Sequence, residues 1–371
     1  MSNLIGYRPT WAEVDLRNLA HNFLLVRKSL SPKTRVLVTV KADAYGHGLL
    51  PVARALSARG VDYLGVASID EGIQLREGGI SSPVLLLGMI LKQDIPPLFE
   101  YNITPAICTA EVAIALNNMA RRLSRPINVH IKVDTGMGRV GVLYKDAYRF
   151  FKKIHDLKFV YIEGLFTHLA CADVNNSFTL YQIGLMEELI RRLSEDGIRI
   201  AWMHAANSLG LLQYKKSHFN MVRPGLIIYG LYPRERMDIA LRPVLSLKTR
   251  IVYAKKVPAG YGISYGHTYV TRRTTNIATL PLGYGDGYPR NLSNQGPVLI
   301  RGRRFRISGR VCMDQILVDT GDLRVDLGEE AVLIGSQGKN RITAEELAGL
   351  AGTIPYEIVC GLGSRIPRVY R

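Results

Sequence analysis

The chain of 371 residues is longer than a single hydrophobic core usually grows, so its length favours two domains. With 47% hydrophobic and 21% charged residues it is neither a disordered nor a fibrous polymer, and it fits a well-packed globular protein. A net charge of +17 raises the question of nucleic acid or an acidic membrane surface, but charge sets solubility and steering rather than function, and it equally draws in anionic cofactors and carboxylate substrates.

The opening MSNLIGYRPTWAEVD shows no basic stretch followed by an apolar run and a cleavage site. The longest apolar runs, such as VLLLGMIL at 84–91, fall well short of the roughly 20 residues a membrane helix needs. A cytoplasmic protein with no membrane partner is expected.

From residue 35 to 230, short β-rich runs alternate with amphipathic helical segments, the pattern of parallel βα units. The runs are RVLVTV, YLGVAS, PVLLLG, ITPAIC, INVHIKVD, YIEGLFTHLA, IRIAWMHA and VRPGLIIYG. The helical segments LPVARALSARG and TLYQIGLMEELIRRLSEDG stop at Gly60 and Gly197, as helices commonly do. Eight units over about 200 residues match a (β/α)8 barrel. A doubly wound sheet more often has five or six strands and a glycine-rich first turn, which this chain lacks.

After Leu241 the texture changes to β-branched strands with Gly, Asn and Pro turns, interrupted by one helix, TAEELAGLAG. The fold expected is a TIM barrel over 1–240 followed by a mostly-β domain over 241–371. The densest basic cluster, RGRRFR at 301–306, alternates as an exposed strand would, so no nucleic-acid partner is expected. Cys108, Cys171, Cys312 and Cys360 lie far apart without a C-x-x-C pair; free thiols are expected, and no metal site.

In such a barrel catalytic groups gather where strands end and loops begin. Lys41 ends the first run, Lys132, Asp134 and Arg139 end the fifth, and His168 ends the sixth. Asn207 and Ser208 follow the seventh, and Arg223 and Gly225 open the eighth. Burial after an apolar strand would lower the pKa of Lys41 and make a Schiff base with an aldehyde feasible. The loops NSLG and RPGL lie where barrels commonly bind phosphate, offering backbone N–H groups and the Ser208 hydroxyl. Together these features suggest a phosphorylated aldehyde held at both ends.

VKADAYGHG at 40–48 resembles the pyridoxal-phosphate attachment motif of alanine racemases. VDTGMGRVG, THLACAD, HAANS, VRPGLIIYG, SYGHTY, GYGDGYPR, VCMDQ and TIPYE follow in that family's order, so the resemblance covers nearly the whole chain.

The resemblance implies a two-base racemase of L- and D-alanine that uses pyridoxal 5'-phosphate and supplies D-alanine for peptidoglycan. It makes Lys41 the Schiff-base lysine and Tyr265 of the partner subunit the second base. Tyr45, Ser208, Gly225, Leu226 and Tyr356 would surround the phosphate, and His168 and Asn207 would line the cofactor. Arg223 would face the pyridine nitrogen, and Arg139 would sit near the phenolic oxygen and the substrate carboxylate. Met313 of the partner subunit would complete the substrate site, so a homodimer with shared sites is implied.

Racemisation needs a base on each face of the α-carbon. Cations such as His168 or Arg139 are expected to favour the tyrosine's phenolate. The resemblance also implies a carbamylated Lys132 orienting Arg139, and the residues equally accommodate a salt bridge from Lys132 to Asp134 or another acid. The alternatives are a racemase of another small amino acid such as serine, or a related barrel decarboxylase, which would place an acid near the ring nitrogen.

Overall fold

The computed structural model describes residues 7–234 and 237–371; the first six residues of the opening segment lie outside them. Parallel strands follow in the order Met221–Val222, Arg35–Thr39, Tyr63–Val66, Val84–Leu86, Thr104–Ile107, Ile127–Asp134, Val160–Phe166 and Trp202–His204. Each overlaps one of the eight runs, with Val160 and Met221 lying one residue ahead of theirs. The two end strands approach each other through Arg223 N–H donating to the Ala206 carbonyl at 2.9 Å and Met203 N–H donating to Asn220 Oδ1 at 2.7 Å, leaving a nearly closed barrel. Its strands are apolar along most of their length because helices cover the outside, as burial on both faces requires.

The run VRPGLIIYG, expected as the eighth strand, divides. Met221–Val222 is strand, whereas Leu226–Tyr229 forms a 3-10 turn that ends on Gly230 in the left-handed region. A Cβ at Gly230 would lie 2.0 Å from the Arg242 carbonyl oxygen, so a bare backbone is needed there. Arg223 and Gly225 therefore follow the last barrel strand, on the same rim as the other strand-end residues.

The β-rich part contains a sheet in the order Arg303–Arg306, Pro297–Ile300, Glu330–Gln337, Leu245–Arg250, Thr10–Val14 and Arg368–Tyr370. Thr10–Val14 precedes the barrel in sequence yet pairs antiparallel with Leu245–Arg250 and parallel with Arg368–Tyr370. Arg8 extends this anchorage. Its guanidinium makes an ion pair with Asp286, which is fully buried inside the GYGDGYPR segment.

The RGRRFR cluster forms the sheet's exposed outer strand. Arg301 pairs with Asp326 and Glu329, and Arg304 pairs with Glu346, so part of the positive charge is locally neutralised. Arginines along an edge also discourage pairing with another chain. Among the described residues no helix is long and apolar enough to cross a membrane.

Candidate active site

Lys41 leaves its strand into an unusual turn. Ala42, Asp43, Ala44 and Tyr45 all have φ between 52° and 55° and ψ between 40° and 56°, one turn of left-handed helix built from L-residues other than glycine. Such a conformation costs about 1–2 kcal/mol per residue, so the turn persists only because its polar groups are held from outside.

Glu71 Oε1 accepts from Ala42 N–H at 2.6 Å, and Asp43 Oδ1 accepts from Leu49 N–H at 2.7 Å. The buried His47 ring places Nδ1 3.1 Å from the Ala44 carbonyl and 2.8 Å from that of Tyr45. Gly46 and Gly48 follow at φ 77° and 95°. The KADAYGHG spelling thus satisfies a strained turn that points Lys41 and Tyr45 at one cavity.

That cavity has a volume of about 600 Å³ at the strand-end rim. Lys41, Tyr45, Lys132, Arg139, His168, Asn207, Ser208, Arg223, Gly225 and Tyr356 all line it. Four of these carry permanent or basic positive charge. Among the described residues no aspartate or glutamate lines it, and none of the four cations makes a salt bridge.

Burial lowers the pKa of Lys41, and the nearby Arg139 and Arg223 charges add to that. Lys132 is pushed down to about 8 by burial, Arg139 and Arg223. His168 falls to about 3 for the same reasons, so it is neutral, contrary to the expectation that it supplies positive charge to a phenolate. Asp134 does not pair with Lys132: its Oδ1 accepts from Gly136 and Gly138 N–H groups at 2.8 and 3.1 Å.

Arg223 is 6% exposed. Its Nη1 lies 2.8 Å from His204 Nδ1, and Nη2 donates to the carbonyls of Thr167 at 2.7 Å and Ala205 at 3.1 Å. Burial lowers it to about 9, which leaves it cationic at neutral pH.

The remaining donors gather opposite. Gly225 N–H donates to Ser208 Oγ at 3.1 Å, and a Cβ at Gly225 would lie 2.6 Å from the Tyr45 hydroxyl, so only glycine leaves this corner open. Burial raises the phenols of Tyr45 and Tyr356, the latter to about 12, keeping both as hydroxyl donors. Asn207 spends its carbonyl on Gly210 N–H at 2.9 Å, so its amide nitrogen is the group it can offer. Leu226 is wholly buried and outside the lining; its side chain is core.

Tyr265 and Met313 do not meet this cavity within one chain. They are 70% and 53% exposed, on neighbouring loops tied together where Ser264 Oγ donates to the Arg310 carbonyl at 2.7 Å. Sequence reasoning missed Phe166, whose ring stacks on His204 at 4.8 Å and lies under Arg223 and Lys132 at 5.3 and 5.6 Å. The alternation along YIEGLFTHLA could have found it: Phe166 is two residues before His168, on the same inward face.

A barrel whose strand-end rim sets a desolvated lysine among unpaired cations and hydroxyl donors is an enzyme framework built to hold an anion beside a reactive amine. The family model described as alanine racemase, N-terminal domain, matches residues 14–233, and that of the C-terminal domain matches 244–370. Over 368 residues the chain is 49% identical to an alanine racemase of Halothermothrix orenii, covering 98% of this chain and 97% of that one.

Among solved structures it resembles alanine racemase of Clostridium difficile 630, with TM-score 0.93, 38% identity and coverage of 99% and 96%. Alanine racemase of Bacillus anthracis with bound L-Ala-P gives TM-score 0.93, 36% identity and the same coverage. The chain belongs to the alanine racemase family. Members of that family are pyridoxal-phosphate-dependent isomerases.

Gly46→Ala should disturb the turn behind Lys41, because a Cβ there would lie 2.2 Å from the Val359 carbonyl oxygen at a φ that favours glycine. A loss of roughly 1–3 kcal/mol is expected in denaturant unfolding. Unchanged stability would show that the turn is not constrained in this way.

Proposed function

We propose that the protein interconverts L- and D-alanine by two bases, Lys41 and Tyr265 of the partner subunit. The observation that carries this reading is the acid-free, four-cation cavity around Lys41 in a chain of this family.

The residues fit pyridoxal 5'-phosphate. The Tyr45 and Tyr356 hydroxyls, Ser208, and the backbone at Gly225 and Leu226 would hold the phosphate, around a corner that a Cβ would fill. His168 and Asn207 would line the ring, and Arg223 would donate to its nitrogen. The bound group supplies an aldehyde that condenses with amines and a ring that accepts the electron pair left when an α-proton departs.

Lys41 serves one face of the α-carbon, and its depressed pKa provides free amine to take a proton there. The phenol of the partner subunit's Tyr265 serves the opposite face. With His168 neutral, favouring a phenolate falls to Arg139, which also suits the substrate carboxylate. Arg223 donates without giving up its proton, restraining electron withdrawal and so competing transamination. The acid-free lining counts against a decarboxylase with a carboxylate at the ring nitrogen.

Tyr265 and Met313 stand exposed and away from Lys41, which supports a homodimer in which the β-rich domain, 241–371, completes the partner's site and Met313 restricts the substrate to a small side chain. The barrel, with Tyr356 of the β-rich part, supplies the cofactor site. A cytoplasmic role in making D-alanine for peptidoglycan fits this activity.

The loaded enzyme should form D-alanine from L-alanine faster than it racemises serine. Lys41→Ala and Tyr265→Ala proteins, each inactive alone, should regain alanine racemisation when their subunits are exchanged, because some mixed dimers then hold one intact site. Exchange demonstrated by mass spectrometry with no recovered activity would contradict the shared site.

Lys132 is proposed to carry a carbamate, formed when its neutral amine attacks carbon dioxide and releases a proton to water. The supporting features are its pKa of about 8, its burial and its lack of a salt bridge among the described residues, beside Arg139. Enzyme equilibrated with 13C-bicarbonate should show a carbamate carbon resonance that vanishes in Lys132→Ala; no resonance in the wild type would dismiss the modification.

A further inference from the structure

Behind Arg223 a file of polar side chains crosses the barrel interior. Arg223 Nη1 lies 2.8 Å from His204 Nδ1, His204 Nε2 lies 2.8 Å from His130 Nδ1, and His130 Nε2 lies 3.3 Å from Glu163 Oε2. Both imidazoles are fully buried. Glu163 is the wet end. Its side chain is 18% exposed, receives Asn128 Nδ2 at 3.0 Å, and borders a second cavity of about 290 Å³ among the strand beginnings, on the rim opposite the active site.

Two backbone features serve this file. The strands Ile127–Asp134 and Val160–Phe166 pair Val129 with Ile162 and then His130 with Gly164, so Glu163 is the extra residue of a β-bulge. Bulges re-aim side chains and are costly to place without purpose. Next to it, Gly164 makes room for an imidazole: a Cβ there would lie 2.2 Å from His130 Nδ1.

The chemistry of the end groups sets the direction of every bond. A guanidinium only donates, so His204 Nδ1 must accept. Burial holds both histidines below their ordinary range, hence neutral, with one ring proton each. The proton of His204 therefore sits on Nε2 and is donated to His130 Nδ1. That of His130 sits on Nε2 and is donated to Glu163. This order requires an acceptor at its terminus, and a carboxylate, which only accepts, supplies one. Burial raises Glu163, but hydrogen bonds from His130, Tyr63 and Asn128 outweigh it and keep the group ionised.

We propose that Glu163 is a positioning residue for the reaction: acting through His130 and His204, it fixes the tautomers that hold the Arg223 guanidinium in place as a donor. Its catalytic consequence rests on the reading of Arg223 as the partner of the cofactor's ring nitrogen.

Long-range 1H–15N spectra of 15N-histidine-labelled holoenzyme, assigned with His130→Gln and His204→Gln, read the tautomers directly. Both rings should show an unprotonated Nδ1 and a protonated Nε2 at neutral pH. A protonated Nδ1 on either ring would overturn the proposal. Glu163→Gln keeps an acceptor and should preserve both tautomers, with kcat within about twofold of wild type. Glu163→Lys offers only donors, and should invert the His130 tautomer and lower kcat by about ten- to a hundredfold with a smaller change in KM.

A folded Glu163→Lys enzyme with wild-type tautomers and kcat would equally overturn it. If that variant does not fold, Glu163→Leu, which neither donates nor accepts, takes its place, and wild-type tautomers and kcat in it would overturn the proposal. Because the tautomers are read without turnover, an enzyme that fails to racemise alanine would refute the functional reading separately.

Discussion

A guanidinium buried at the rim of a parallel barrel, with no carboxylate paired to it among the described residues, is the constraint around which the rest of the site is arranged. Arg223 gives three of its five N–H groups to two carbonyls and an imidazole. These neutral acceptors leave its charge uncompensated. Lys41, Lys132 and Arg139 line the same cavity, where low dielectric strengthens their mutual repulsion. Burial first, and that repulsion after it, depress the pKa values of Lys41, Lys132 and His168. A ligand bringing a phosphate, a phenolate and a substrate carboxylate relieves that repulsion from several directions at once.

Lys41 is delivered to this field by a backbone that local preference resists. Four consecutive L-residues in left-handed helical geometry would not persist in an isolated peptide, and here the resistance is offset by Glu71, Asp43, His47 and two glycines. The strain is confined to the segment that sets the direction of the reactive amine, while the flanking strand and the helix Leu49–Ser57 are regular. The site therefore gains positional definition from a turn that is expensive to rearrange.

The barrel was legible because alternating βα texture and strand-end chemistry are both local properties. The eight runs overlap the eight barrel strands, and of the residues gathered from their ends all but Asp134 line one cavity, while Leu226 is core and Tyr265 and Met313 lie away from it. What escaped depends on contacts distant in sequence. Thr10–Val14 shows too little pattern to reveal that it joins a sheet formed more than two hundred residues later. The run GLIIYG has strand-like composition, yet tertiary closeness to Arg242 turns it into a 3-10 turn. His168 ranks as a cation from its ordinary pKa, but burial beside Arg223 and Arg139 reverses that. The position of Asp134 suggests an ion pair until its bonds to Gly136 and Gly138 are seen.

The claim that the cation set is organised around an anionic cofactor is tested most directly by titrating cofactor-free protein with pyridoxal 5'-phosphate and, in parallel, with pyridoxal, which keeps the aldehyde and ring but lacks the phosphate. Absorbance near the cofactor's long-wavelength band gives both affinities. Each hydrogen bond to a charged group contributes about 1.5–3 kcal/mol, so the phosphate form should bind at least ~100-fold more tightly. Equal affinities would contradict the account, because the donors around Gly225 and Ser208 would then have no anion to hold.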